Sequence, residues 1–270
     1  MQKVTHSEYI AQKKPLAKQL LAKLNEKYQY ASVLITDNYE KGYRASRSGV
    51  AISATNAFGG KGMIVKVYDG KGYAEYSTNE ITAENLPEIE REIEQQLMNP
   101  ANFIPEGTEE AEYKCISDEP CTLCEATDYE IHPREVGDEK LIETVTALRE
   151  KAVKADERIL DAITGFNYQE YHKLFLSANR ELEQSVLYST GIMALVAAKG
   201  EEIKQSFRGF SNLGGAELLD KMESAIPQCV KTVTDLLNAE PMEPGTYECI
   251  CTPEVTGMIV HEAFGHGVEM

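Results

Sequence analysis

The stretch Tyr168–Phe210, YQEYHKLFLSANRELEQSVLYSTGIMALVAAKGEEIKQSFRGF, decides the fold. Its side chains alternate between apolar and polar along Tyr168–Ser177, Glu181–Thr190, Ile192–Lys199 and Glu201–Phe210, the period-two signature of strands with one buried face. Asn179-Arg180, Thr190-Gly191 and Lys199-Gly200 stand at the joints, so the spacing predicts four consecutive antiparallel strands. A second β-rich stretch lies upstream: Ala31–Thr36, Tyr43–Arg47, Val50–Thr55, Gly62–Tyr68 and Tyr73–Ser77, with turn residues at Gly59-Gly60, Asp69-Gly70 and Lys71-Gly72.

Apolar residues at three- and four-residue steps predict helices around these meanders. They cover Tyr9–Lys27, then Ala83–Met98 between Thr82 as N-cap and Asn99-Pro100 as stop, then Glu139–Ile163, and Leu213–Asn238 with a break or kink near Pro227. Gly245–Cys251 reads as a strand, and Thr252-Pro253 leads into a last helix. The fold class expected is α+β, with antiparallel or mixed sheets from two β-meanders, flanking helices and a terminal metal-ligand helix. The expected organisation is a first α/β subdomain (1–99), an acidic, proline-containing linker (100–138), a second α+β subdomain (139–245) and the start of a catalytic region (246–270).

The chain has 270 residues, 42% apolar and 26% charged, in keeping with a soluble globular protein. Its net charge of −17 disfavours nucleic acid and anionic membrane as partners, because it repels phosphate. No apolar run approaches the roughly 18–20 residues that span a bilayer, and the first fifteen residues lack the apolar core of a signal peptide. A cytoplasmic location is expected, with the six cysteines as reduced thiols.

The chemistry concentrates in Val260–Met270, VHEAFGHGVEM. Neutral imidazoles are common metal ligands, and a neighbouring carboxylate can accept a proton. His261 and His266 are five residues apart, with Glu262 directly after the first. On a straight α-helix that interval separates the rings by about 140°, against about 40° for the four-residue interval. The two rings can share an ion only if the helix is distorted, and a π-bulge, with its i→i+5 bonding, supplies that distortion. The spacing therefore predicts a bulged or unwound turn at Ala263–Gly265. The alternative is a regular helix carrying two unrelated histidines.

Tyr247–Pro253 (YECICTP), Thr256–Val260 (TGMIV) and HEAFGHGVE together resemble the TldD/PmbA family of zinc metallopeptidases, whose members are often labelled modulators of DNA gyrase. Lys61–Ser77 and Ser206–Gly215 resemble other parts of that family. The resemblance implies that His261 and His266 ligate zinc and that Glu262 is the general base. It also implies a third ligand, a cysteine, beyond the end of this chain, whose C-terminal β-rich domain is expected to be absent. Extended or unfolded peptides would be the substrates. The partner would be a second copy, giving a homodimer, or a related subunit, giving a heterodimer. The chain alone would be inactive as a peptidase, and the competing reading is a non-catalytic peptide-binding or assembly module.

Other residues offer the same chemistry more weakly. Glu269 could reach a metal or orient a ring, and Cys249 and Cys251 share a strand face. Cys115, Cys121, Cys124 and His132 could form a small zinc knuckle, although a single CxxC reads more simply as loop thiols. Gly59–Gly62 lacks the spacing of a phosphate loop, and the acidic run Glu106–Glu112 reads as a solvated loop. His6, His132 and His172 show no ligand partner at useful spacing.

Overall fold

The computed structural model describes residues 1–54, 60–98 and 113–269. Thr55, Gly59, the expected helix stop at Asn99-Pro100 and the acidic run Glu106–Glu112 lie outside them. The chain forms two compact units, Met1–Leu237 and Asn238–Met270. In the first, the elements run β1 (Gln2–Lys3), α1 (Glu8–Lys27), β2 (Tyr30–Ser46), β3 (Gly49–Ala54), β4 (Lys61–Tyr68), β5 (Tyr73–Thr78) and α2 (Leu86–Met98). They continue with β6 (Cys121–Ala126), β7 (Asp128–Tyr129), α3 (Pro133–Val136), α4 (Asp138–Lys154), β8 (Ile159–Ser177), β9 (Arg180–Lys199), β10 (Glu202–Leu213) and α5 (Leu218–Leu236).

Eight of these strands form one sheet. Its path is β10-β9-β8-β2-β4-β5, with β3 added to β2 and β6 added to β9. The two expected meanders are thereby joined, because β2 and β8 pair antiparallel from Ser32↔Ser177 to Ala45↔Thr164. The segments read as separate subdomains share this sheet. The linker expected at 100–138 also contributes to it, since β6 lies parallel to β9 with Cys121 opposite Arg180 and Ala126 opposite Ser185.

Several boundaries differ from the sequence reading. Thr190-Gly191 is not a joint: β9 runs unbroken for 20 residues. The glycine answers to packing, since a Cβ there would lie 2.4 Å from Met222 Sδ of α5. Asp37–Gly42 stays extended within β2, although its polar sequence gave no strand signal. Helix α4 ends at Lys154, and Ile159–Ile163 begins β8. Leu213 ends β10, and α5 passes through Pro227 as one helix. Two of the other turns form as read: Gly200 at φ +64 closes β9–β10, and Gly70 at φ +102 closes β4–β5, where Asp69 Oδ1 accepts from the Lys71 and Gly72 amides.

Even-numbered positions of β8 face the helices, and they serve two separate cores. Near Leu174 and Leu176 that face packs with Leu20 and Leu24 of α1, Ile89 and Ile93 of α2, and Val33 and Val65. Near Phe166 and Tyr168 it packs with Leu141 and Val145 of α4 and Met222 and Ile226 of α5. Between the cores the same face carries Glu170 and His172, both buried. The odd positions of β8 are mostly half-exposed, which makes this a sheet with helices on one face.

The second unit holds α6 (Pro253–Val260), a π-turn (His261–Gly265) and a last helical turn, α7 (His266–Val268). Gly245–Cys251, expected as a strand, is irregular. A strand requires a neighbour to take up its backbone hydrogen bonds, and none of the described residues pairs with this segment. No described helix is long and apolar enough to cross a membrane, a statement that does not extend to β-barrels.

Candidate metal centre

Thr252, extended at φ −68 and ψ 162, is the N-cap of α6, and Pro253 follows it in the first turn, where its missing N–H costs nothing. Glu254 in that turn complements the helix dipole. The Thr256 amide donates to the Thr252 carbonyl at 2.9 Å, closing the first turn. Regular helix continues to Val260 and then widens: the His266 amide donates to the His261 carbonyl, an i→i+5 bond. This is the distortion that the five-residue interval demanded. The flanking Val260 and His266 keep ordinary right-handed angles, as does Gly265 within the turn, at φ −53 and ψ −57. Glycine is thus not required there by backbone geometry, and a Cβ at 265 would meet His261 Nδ1 at an acceptable 3.6 Å.

The widened turn brings the two imidazoles together. Their ring centroids are 4.6 Å apart and the planes are inclined at 72°. One donor atom from each of His261, Glu262 and His266 lies within 4.8 Å of the others. Among the described residues this is the one group of three or more His, Cys, Asp or Glu side chains gathered so closely. Glu262 Oε2 is 3.7 Å from His266 Nε2. The other nitrogen, His266 Nδ1, is 3.0 Å from Glu269 Oε2. A carboxylate on Nδ1 holds the proton there and leaves Nε2 with its lone pair free, the tautomer a metal needs. Glu269 thus contacts the ring of His266.

The donor set suits a borderline divalent metal: two imidazoles and a carboxylate, converging and open to solvent. Cys249 and Cys251 are exposed and are not part of the cluster; Cys249 Sγ contacts the Tyr247 carbonyl. The zinc-knuckle alternative is not assembled. Cys121 and Cys124 are three apart on an extended strand, which turns them to opposite faces, and His132 is spent capping α3, accepting from the Arg134 amide at 3.2 Å. All six cysteines are free thiols.

No protein-family model matches the chain. Two curated relatives carry the name metalloprotease. One, from Archaeoglobus fulgidus, is 31% identical over 93 residues, which are 34% of this chain and 22% of the relative. The other, from Methanothermobacter thermautotrophicus, is 32% identical over 76 residues, which are 27% of this chain and 17% of the relative. The aligned parts thus span about a fifth of those relatives. Solved structures match over far more of the chain. A protein from Bacteroides thetaiotaomicron described as a candidate modulator of DNA gyrase superposes with TM-score 0.68 at 15% identity, covering 93% of this chain and 56% of that one. A similarly described protein from Thermotoga maritima gives 0.66 at 14% identity, covering 86% and 50%. TldE from Thermococcus kodakarensis gives 0.58 at 14% identity, covering 81% and 47%. The chain therefore has the fold of these TldD/PmbA-type proteins and spans about half the length of each.

Proposed function

We propose that this chain carries the metal-binding helix of a zinc metallopeptidase that hydrolyses peptide bonds in extended or unfolded peptides. The observation that carries this reading is the π-turn, which converts an otherwise divergent histidine pair into converging donors. The relatives named metalloprotease point to the same chemistry. In this reading His261 and His266 hold the metal, and Glu269 fixes the tautomer of His266. A bound zinc supplies Lewis acidity to the scissile carbonyl. Glu262, which follows the first donor directly in sequence, takes the proton of the attacking water. A cytoplasmic location and a dimeric partner, either a second copy or a related subunit, complete the proposal.

The test is zinc stoichiometry and affinity of the purified chain and of two variants. One zinc per chain is expected, lost in the His261→Ala, His266→Ala double variant. Glu262→Gln should leave affinity within about threefold, since a base is not a ligand. An equal loss in both variants would make Glu262 a third ligand and favour a metal-holding binding module over a peptidase. No zinc in the unaltered chain would overturn the assignment of the site.

A further inference from the structure

Far from the terminal helix in sequence, within the first unit, a thiol stands at the head of a hydrogen-bonded chain of side chains. Cys124 Sγ lies 3.4 Å from His6 Nε2. His6 Nδ1 lies 2.9 Å from Ser185 Oγ, and Ser185 Oγ lies 2.9 Å from His172 Nδ1. His172 Nε2 then faces Glu170 Oε2 at 3.6 Å. These residues come from β6, the segment before α1, β9 and β8, so nothing in their sequence spacing announces them.

Proton counting fixes the direction of this chain. Ser185 has one hydroxyl hydrogen and is 1% exposed, so it donates to one imidazole and must accept from the other. The Glu170 carboxylate facing His172 Nε2 takes that ring's hydrogen, which leaves His172 Nδ1 bare to accept from Ser185 and, in turn, His6 Nε2 bare to face the thiol. His6 carries its hydrogen on Nδ1 and donates to Ser185. Ser185 donates to His172 Nδ1, and the hydrogen of His172 sits on Nε2, towards Glu170. This assignment satisfies each contact, with every donor pointing away from the thiol. It is the order of nucleophile, base and orienting group.

The surroundings favour a reaction over packing alone. Cys124 is exposed. His6 is also a wall of a polar cavity of about 610 Å³. Glu170 and His172, 5% and 8% exposed, point into that cavity. Glu170 Oε1 makes no aligned hydrogen bond there, although Arg134 Nε is 2.8 Å away. Glu183 Oε1 lies 3.8 Å from His6 Nδ1, and Lys14 holds the other oxygen of Glu183 at 2.9 Å.

We propose that Cys124 is a nucleophilic thiol, with His6 as its base and Ser185 as a positioning residue, that undergoes exchange with small neutral or cationic disulfides. Glu183, opposite Cys124 on the neighbouring strand, sets the preference against anionic ones. In the reaction the thiol proton passes to His6 Nε2 while sulfur attacks one sulfur of the disulfide. A new S–S bond forms to Cys124, the old one breaks, and the departing thiolate takes the proton back from His6.

The probe is 2-hydroxyethyl disulfide, with mixed-disulfide formation followed residue by residue by peptide mass spectrometry at pH 7. Cys115 and Cys121, both exposed, are internal references. Cys124 should react at least tenfold faster than Cys121, within the span general-base assistance provides. His6→Gln should bring it to within about twofold of Cys121 while the references stay unchanged. Its rate should then depend more steeply on pH than that of the unaltered chain. Ser185→Ala should give an intermediate rate and profile at unchanged melting temperature. Equal rates at Cys124 and Cys121, or an unchanged rate in His6→Gln, would overturn the proposal.

Discussion

Gly215 is a test of how tightly the β10–α5 connection is built. A Cβ at this position would lie 2.0 Å from the Ile131 carbonyl oxygen, 3.0 Å from its carbon and 3.1 Å from Pro133 Cδ. Ordinary contact begins at 3.4 Å, so in Gly215→Ala the carbonyl must retreat by about 1.4 Å. That carbonyl cannot move alone. It accepts from the Ala216 amide at 2.8 Å, while the Ile131 amide donates to Glu217 Oε2 at 3.1 Å and the Gly215 amide to Glu217 Oε1 at 2.8 Å. Overpacking against backbone costs about 1–3 kcal/mol, and one lost backbone hydrogen bond about 0.5–1.5 kcal/mol. A destabilisation of about 3 kcal/mol is expected, or roughly 6–12 °C in melting temperature for a unit of this size. The assay is thermal unfolding followed by circular dichroism, with Gly72→Ala as reference. Gly72 has no atom within 4 Å of its would-be Cβ and no positive φ, so that change should be neutral or slightly stabilising. If Gly215→Ala melts within 2 °C of Gly72→Ala, the packing argument is refuted.

Other outcomes follow from the same structure. Leu20→Ala, at a fully buried position of α1, should cost about 2–5 kcal/mol, read from urea unfolding; a loss below about 1 kcal/mol would mean that the first core collapses around the cavity. Burial pushes the Glu170 carboxyl up, but His172, Arg134 and His132 outweigh it and hold the group below its ordinary value. A depressed carboxylate stabilises the fold above its unfolded pKa and loses that contribution as pH falls through the folded one. The melting-temperature gap between the unaltered chain and Glu170→Gln should therefore be widest near neutrality and shrink below about pH 4.5, and a pH-independent gap would contradict this. Glu269→Ala should weaken zinc binding about tenfold in a competitive chelator titration, the lower end for an orienting carboxylate because this pair is exposed; unchanged affinity would show that the ring needs no such support.

Much of this architecture could be read from residue order because the signals are local. Period-two alternation in Tyr168–Phe210, the positive-φ turns at Gly70 and Gly200, and the heptad-like spacing in Glu8–Lys27 each act within a few residues. The site at His261–His266 was legible for the same reason: a five-residue interval can be tested against helix geometry without knowing the rest of the fold, and the π-turn is its solution. The polar run Asp37–Gly42 was not legible as strand. Its backbone is held extended by β8, whose contacting residues are more than a hundred positions away. Gly191 resembled a turn because glycine often marks one, but here it makes room for Met222.

By itself the sequence determined most of the element types, several of the turns and the candidate donor residues of the terminal helix, all set by backbone preference and periodicity over short range. Tertiary structure alone decided that the two meanders are one sheet, that 121–126 is a strand of it, and that Cys124, His6, Ser185, His172 and Glu170 form one chain of contacts. Strand pairing and side-chain convergence join residues distant along the chain, and their free energy comes from burial and hydrogen bonds that exist only once the chain has closed on itself.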